Sequence, residues 1–127
     1  MPQKDKPVQP KKILIIEDEG DICLLLNIIL KNNEIDLDHV NTIARAKEYL
    51  RNESPSIILL DNKLPDGRGL DFISYIGENY PAIKILMITG DLAASAEELA
   101  LGRGADIFLE KPFTRDVVMN SVQELLN

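Results

Sequence analysis

The sequence predicts a doubly wound α/β domain built on a five-stranded, mostly parallel sheet. Three observations carry this prediction. Short apolar runs recur at residues 13–16, 57–60 and 83–88, the last broken only by Lys84, and runs of that length read as strands covered on both faces. Segments with apolar residues at helical spacing lie between them. Strand and helix patterns alternate five times, which implies crossover helices on both sides of one sheet.

The elements follow in order. Residues 1–10 are polar and Pro-rich and read as a disordered lead to a single domain over residues 11–127. The first strand, 13–16, is ended by Glu17, Asp18 and Glu19. Ile22, Leu25, Leu26, Ile29 and Leu30 then place a helix over about 20–31. Residues 35–40 alternate weakly and read as a half-exposed strand. Ala44, Ala46, Tyr49 and Leu50 mark a second helix that stops before Pro55. The strand at 57–60 ends at Asp61. Residues 63–69 form a turn-rich loop, and Leu70, Ile73 and Ile76 give the third helix. The strand at 83–88 ends at Thr89 and Gly90. A helix over about 93–101 follows, with Gly102 and Gly104 suiting its C-terminal cap. Residues 105–109 are the last strand, closed by Glu110, Lys111 and Pro112. Val117, Val118, Val122, Leu125 and Leu126 supply the apolar face of the final helix.

The bulk properties narrow the function. A chain of 127 residues with net charge -7 has room for one core and argues against a nucleic-acid or anionic-membrane surface. Cys23 is the one cysteine, so no internal disulfide forms, and it reads as an inert core thiol. No stretch is long and apolar enough to span a bilayer or serve as a signal segment, and the cytoplasm is the default location.

The chemistry gathers at one end of the apolar strands. Successive strands deliver Glu17 and Asp18, then Asp61, then Thr89, then Lys111. In a parallel sheet these carboxyl ends share one edge, where ligands bind. Carboxylates brought together stay ionised only if a cation offsets them. Mg²⁺, a hard ion that prefers oxygen, fits this set, and Mn²⁺ can stand in for it. His39 is the only histidine, no Cys/His cluster offers a zinc site, and His39 is read as no part of the site. Carboxylates, an ammonium, a hydroxyl and a divalent ion suit a phosphoryl group, with a carboxylate able to act as nucleophile. No phosphate-binding P-loop motif is present. Glu97 and Glu98 read as a solvated helix face.

These residues resemble a bacterial two-component response-regulator receiver domain of the single-domain type. The likeness runs from Lys12 to about Leu126. It rests on ILIIEDE at 13–19, ILLD at 58–61, LPDG at 64–67, LMITG at 86–90, GAD at 104–106 and KPF at 111–113. The resemblance implies a flavodoxin-like fold with sheet order 2-1-3-4-5 and five helices. It implies that Asp61 accepts a phosphoryl group from a histidine kinase or phosphotransfer protein. Asp18, Asp61 and the backbone carbonyl of Lys63 would hold Mg²⁺, with Glu17 acting through water. Thr89 and Lys111 would grip the phosphoryl oxygens, and the Lys111–Pro112 bond would be cis. Thr89 and Phe108 would form the switch, and residues 93–126 the output face, toward an unidentified downstream protein. A monomer or a transient homodimer is expected, without direct contact to nucleic acid or membrane.

Three positions depart from the commonest family pattern. Glu17 stands where Asp is more frequent, Gly90 where Ala is common, and Phe108 where Tyr is. Lys63 and Asp91 occupy places that influence phosphoryl lifetime, and their opposite charges suit pairing across the pocket mouth. Rival readings are a phosphorelay shuttle, a binding module that works without phosphorylation, and a small phosphatase. Retention of Asp18, Asp61 and Lys111 argues against the second. Lys63, two residues after Asp61, stands where a phosphatase needs its acid.

Overall fold

The computed structural model describes residues 9–90 and 95–127. Of the expected lead, Gln9 and Pro10 are described and exposed; the rest of it lies outside the described residues. The elements are β1 (Lys11–Ile16), α1 (Gly20–Leu30), β2 (Ile35–Val40), α2 (Ile43–Asn52) and β3 (Ile57–Leu60). A two-residue hairpin follows, β4 (Lys63–Leu64) with β5 (Gly67–Arg68). Then come α3 (Gly69–Asn79), β6 (Lys84–Thr89), α4 (Ala96–Arg103), β7 (Ile107–Glu110) and α5 (Arg115–Leu126).

The main sheet runs β2-β1-β3-β6-β7, all parallel. With the hairpin set aside, this is the order 2-1-3-4-5. Alternation along each strand sends side chains to opposite faces. Leu14, Ile16, Ile58, Leu60, Ile85 and Met87 meet α2, α3 and α4 through Ala46, Leu50, Ile73, Ile76 and Ala100. Ile13, Ile15, Ile57, Leu59, Leu86 and Ile88 meet α1 and α5 through Cys23, Leu26, Ile29, Val118 and Val122. Both faces being covered explains why the central strands are apolar without a break. Cys23 is buried in this second layer.

Some local expectations shift. Leu25 and Val117, assigned by spacing to apolar faces, are exposed. Helix α1 is apolar on almost every side, so periodicity alone leaves its inward stripe open. Contact with the sheet selects Cys23, Leu26, Ile29 and Leu30, and leaves Leu24, Leu25 and Ile28 outside. The last strand starts at Ile107, two residues later than expected. The amide of Ala105 still closes α4 on Ala100, and Gly104 turns there at φ 120°. Ala93, expected as the start of α4, lies outside the described residues; among the described residues the helix begins at Ala96. Among the described residues no helix is long and apolar enough to cross a membrane.

Candidate functional site: a carboxylate cluster around Lys111

The sheet ladder continues one residue past three of its strands, and those residues carry the chemistry. The amide of Glu17 donates to Val40 O at 3.1 Å, that of Asp61 to Ile16 O at 3.1 Å, and that of Lys111 to Thr89 O at 3.0 Å. Each functional side chain therefore leaves from backbone already fixed by the sheet. Gly69 tightens this edge. A Cβ there would lie 2.2 Å from the Asp61 carbonyl oxygen, so only glycine lets α3 start so close to Asp61. The Gly69 amide donates to Asn62 O at 2.8 Å, and that of Leu70 to Asn62 Oδ1 at 3.0 Å.

Lys111 Nζ lies 2.9 Å from Glu17 Oε1, 3.3 Å from Glu19 Oε1 and 3.4 Å from Asp61 Oδ2. Glu17 and Asp61 are only 3% and 5% exposed. The Asn62 amide donates to Asp61 Oδ1 at 2.8 Å, and the Glu19 amide to Glu17 Oε2 at 3.2 Å. Burial, helped by the Asp61 charge and opposed by the Lys111 hydrogen bond, pushes the Glu17 carboxyl up to about 7. Burial alone would lower Lys111, but its bond to Glu17 and the charges of Asp61, Glu17 and Glu19 leave it raised. Lys111 therefore stays an ammonium, and Glu17 holds a proton readily when no metal is bound.

The structure sorts the sequence-predicted residues. Glu17, Asp61 and Lys111 converge. Thr89, buried at the end of β6, lines a pocket of about 150 Å³ with Glu19, Asp61, Lys63, Gly90 and Lys111. The Lys111–Pro112 bond is cis. Asp18 is exposed. Oxygens of Glu17, Glu19 and Asp61 come within 4.8 Å of one another, so Glu19, which the sequence reading did not single out, joins the cluster. Phe108 is half-buried and lies elsewhere, in a groove of about 510 Å³ with Ala96, Glu97, Glu98, Leu101 and Glu110. Asp91 lies outside the described residues. At Gly90 an added Cβ would make ordinary contact with the Lys111 stem, 3.7 Å away, so the glycine leaves that stem open.

Two positioning contacts escaped the sequence reading. His39 Nε2 is 2.7 Å from the Glu17 carbonyl oxygen, tying the edge strand to the acidic loop. Asp66, at the turn of the hairpin, accepts from the Ile43 and Ala44 amides at 2.8 and 2.9 Å. Those bonds cap α2 from across the fold and hold the Asp66 carboxyl below its usual range. They also fasten the loop that carries Lys63.

The cluster offers only hard oxygen donors, and three carboxylates share one ammonium. That charge deficit suits a divalent cation such as Mg²⁺.

The sequence profile of the response regulator receiver domain matches residues 13–123. The chain is 38% identical over 102 residues to the response regulator protein PilR of Pseudomonas aeruginosa, covering 80% of this chain and 23% of that protein. It is 32% identical to the KDP operon transcriptional regulatory protein KdpE of Escherichia coli, covering 80% of this chain and 44% of that one. It thus spans less than half the length of either relative. Its fold superposes with TM-score 0.87 on the signal receiver domain of a LuxO repressor protein from Vibrio parahaemolyticus, at 29% identity, covering 94% of this chain and 91% of that one. The beryllofluoride-activated NtrC4 receiver domain dimer gives TM-score 0.85 at 31% identity, covering 90% and 94%. A profile match across most of the chain, the sheet order and the carboxylate–lysine cluster agree: the chain belongs to the response regulator receiver domain family.

Proposed function

We propose that the chain is a phosphorylation-controlled signalling receiver. The observation that carries this reading is Asp61: a buried carboxylate at the sheet's carboxyl edge, with Oδ1 held by a backbone amide and Oδ2 facing the Lys111 ammonium. An Asp61 oxygen attacks phosphorus, the bond from phosphorus to the donor breaks, and the donor atom leaves with its electron pair. An acyl phosphate remains. A histidine kinase or phosphotransfer protein is the donor, and water later returns the carboxylate.

Lys111 and Thr89 bind the phosphoryl oxygens from two sides of the pocket. Asp61 with Asp18 and the Lys63 carbonyl, implied by the family likeness, would hold a divalent ion, with Glu17 acting through water. When bound, Mg²⁺ supplies neutralisation of charge on the phosphoryl oxygens. New charge on Asp61 draws Thr89, whose strand pairs with β7, and Phe108 follows to alter the α4–β7–α5 surface read by a downstream protein. Lys63 and Asp91 set the lifetime at the pocket mouth. A receiver of this kind acts as a monomer or a transient homodimer.

The test is intact mass after incubation with Mg²⁺ and acetyl phosphate. One phosphoryl adduct is expected, absent with Asp61→Asn and absent with a chelator. An adduct that survives Asp61→Asn sinks the assignment.

A further inference from the structure

Resting on that reading, we propose that Glu19 is a specificity-determining residue: an anionic guard that holds Lys111 until a phosphoryl oxygen displaces it, and so disfavours highly charged donors.

An ammonium has three hydrogens to donate. Glu17, Glu19 and Asp61 stand at 2.9, 3.3 and 3.4 Å from Lys111 Nζ, so each hydrogen faces a carboxylate before any donor arrives. The three are not equivalent. Glu17 and Asp61 are buried and held by backbone amides. Releasing either from Lys111 leaves a buried carboxyl without that partner. The Glu19 side chain is 63% exposed and can turn into water at little cost. It also lines the pocket that contains Asp61, Thr89 and Lys111. An arriving phosphoryl oxygen therefore exchanges with Glu19 on Lys111, and the displaced carboxylate stays close enough to repel it.

The repulsion scales with the charge of the donor. Acetyl phosphate arrives as a dianion; its P–O bond breaks and acetate leaves with the electron pair. Phosphoramidate arrives with a protonated nitrogen and a net single negative charge; its P–N bond breaks and ammonia leaves with the pair. A phosphohistidine donor shares the P–N chemistry. Glu19 thus tilts the site from free acyl phosphates toward nitrogen-linked phosphoryl groups.

The experiment compares wild type with Glu19→Gln at saturating Mg²⁺, measuring phosphorylation rates with acetyl phosphate and with phosphoramidate. One full charge a few ångströms from the reacting phosphoryl group, in partly exposed surroundings, changes a rate by about three- to tenfold. That gain is expected for acetyl phosphate in Glu19→Gln, with a clearly smaller gain for phosphoramidate. Added salt should close the gap between the two proteins. Beryllofluoride binding followed by calorimetry should tighten in the variant, a readout independent of turnover. Equal factors for both donors, or a slower acetyl phosphate reaction, overturn the guard while leaving the receiver reading intact. If wild type takes a phosphoryl group from neither donor and binds no beryllofluoride, the receiver reading falls and the guard with it.

Discussion

Strands β3 and β7 are each four residues long, yet they live in different surroundings. All four residues of β3 are buried; in β7 three are half-buried and the fourth is exposed. The centre strand is clamped by neighbours on both sides and helices on both faces. The edge strand has a partner on one side only. Asp61 follows the first and Lys111 the second. Asp61, the proposed phosphoacceptor, therefore leaves from a strand buried along its whole length. Lys111 follows, and Phe108 belongs to, an edge strand that is only partly covered. A switch needs both: a rigid point where charge is placed, and a yielding one that responds.

Core truncation should break this contrast most visibly. Ile58→Ala in β3 is expected to cost about 2–5 kcal/mol, because its cavity lies in packing that cannot collapse. Leu109→Ala in β7 should cost about half as much, since less apolar surface leaves water there. Urea unfolding of both variants checks this, and equal losses would mean that the edge is as rigid as the centre.

Gly69→Ala comes next. Its methyl would meet the Asp61 carbonyl at 2.2 Å, so the backbone must move, at a cost of about 1–3 kcal/mol. Because the clash falls on Asp61 itself, phosphorylation from acetyl phosphate should slow by more than the stability loss explains. A variant that is destabilised but phosphorylates at the wild-type rate would refute the close-approach argument.

The buried acid sharpens the comparison through pH. Glu17 titrates near 7 in the fold against an ordinary value of 4.5. A carboxyl whose folded value is raised stabilises fully below its unfolded value, and that contribution is lost as pH rises through the folded one. The metal-free protein should therefore lose thermal stability between pH 4.5 and about 7. Glu17→Gln should flatten that slope, and parallel melting curves for the two proteins across the window would contradict the burial argument.

The smallest effect is expected at the edge. Phe108→Leu keeps an apolar side chain in a half-buried place, and should cost under about 1.5 kcal/mol. Phosphoryl adduct should form at a near-normal rate, while chemical-shift changes in α4 and β7 on adding beryllofluoride should shrink. Unaltered spectral changes would remove Phe108 from the switch.

Much of the fold was legible because its signals are local. Four of the five main strands announced themselves by composition or by the residue that ends them, and β2 by weak alternation. Glu17, Asp61, Thr89 and Lys111 were legible as strand-end residues, and the parallel sheet told where strand ends meet. Asp18 and Glu19 were not separable in the same way. They are adjacent acids, and which one faces Lys111 depends on the path of the backbone after β1, which bends at Asp18, not on residue type.

The sequence by itself determined the order of elements, the two-sided apolar strands and the polar residues that close them, because each depends on neighbours a few positions apart. Tertiary structure alone decided the inward stripe of α1, since an all-apolar helix has no preferred face until a sheet packs against it. It alone placed Asp66 against the first amides of α2, beside the Thr42 cap, and His39 against the Glu17 carbonyl, contacts between residues 22 apart. It alone brought three carboxylates onto one ammonium. Such contacts obey distance and burial in the folded chain, and no local pattern in the sequence encodes either.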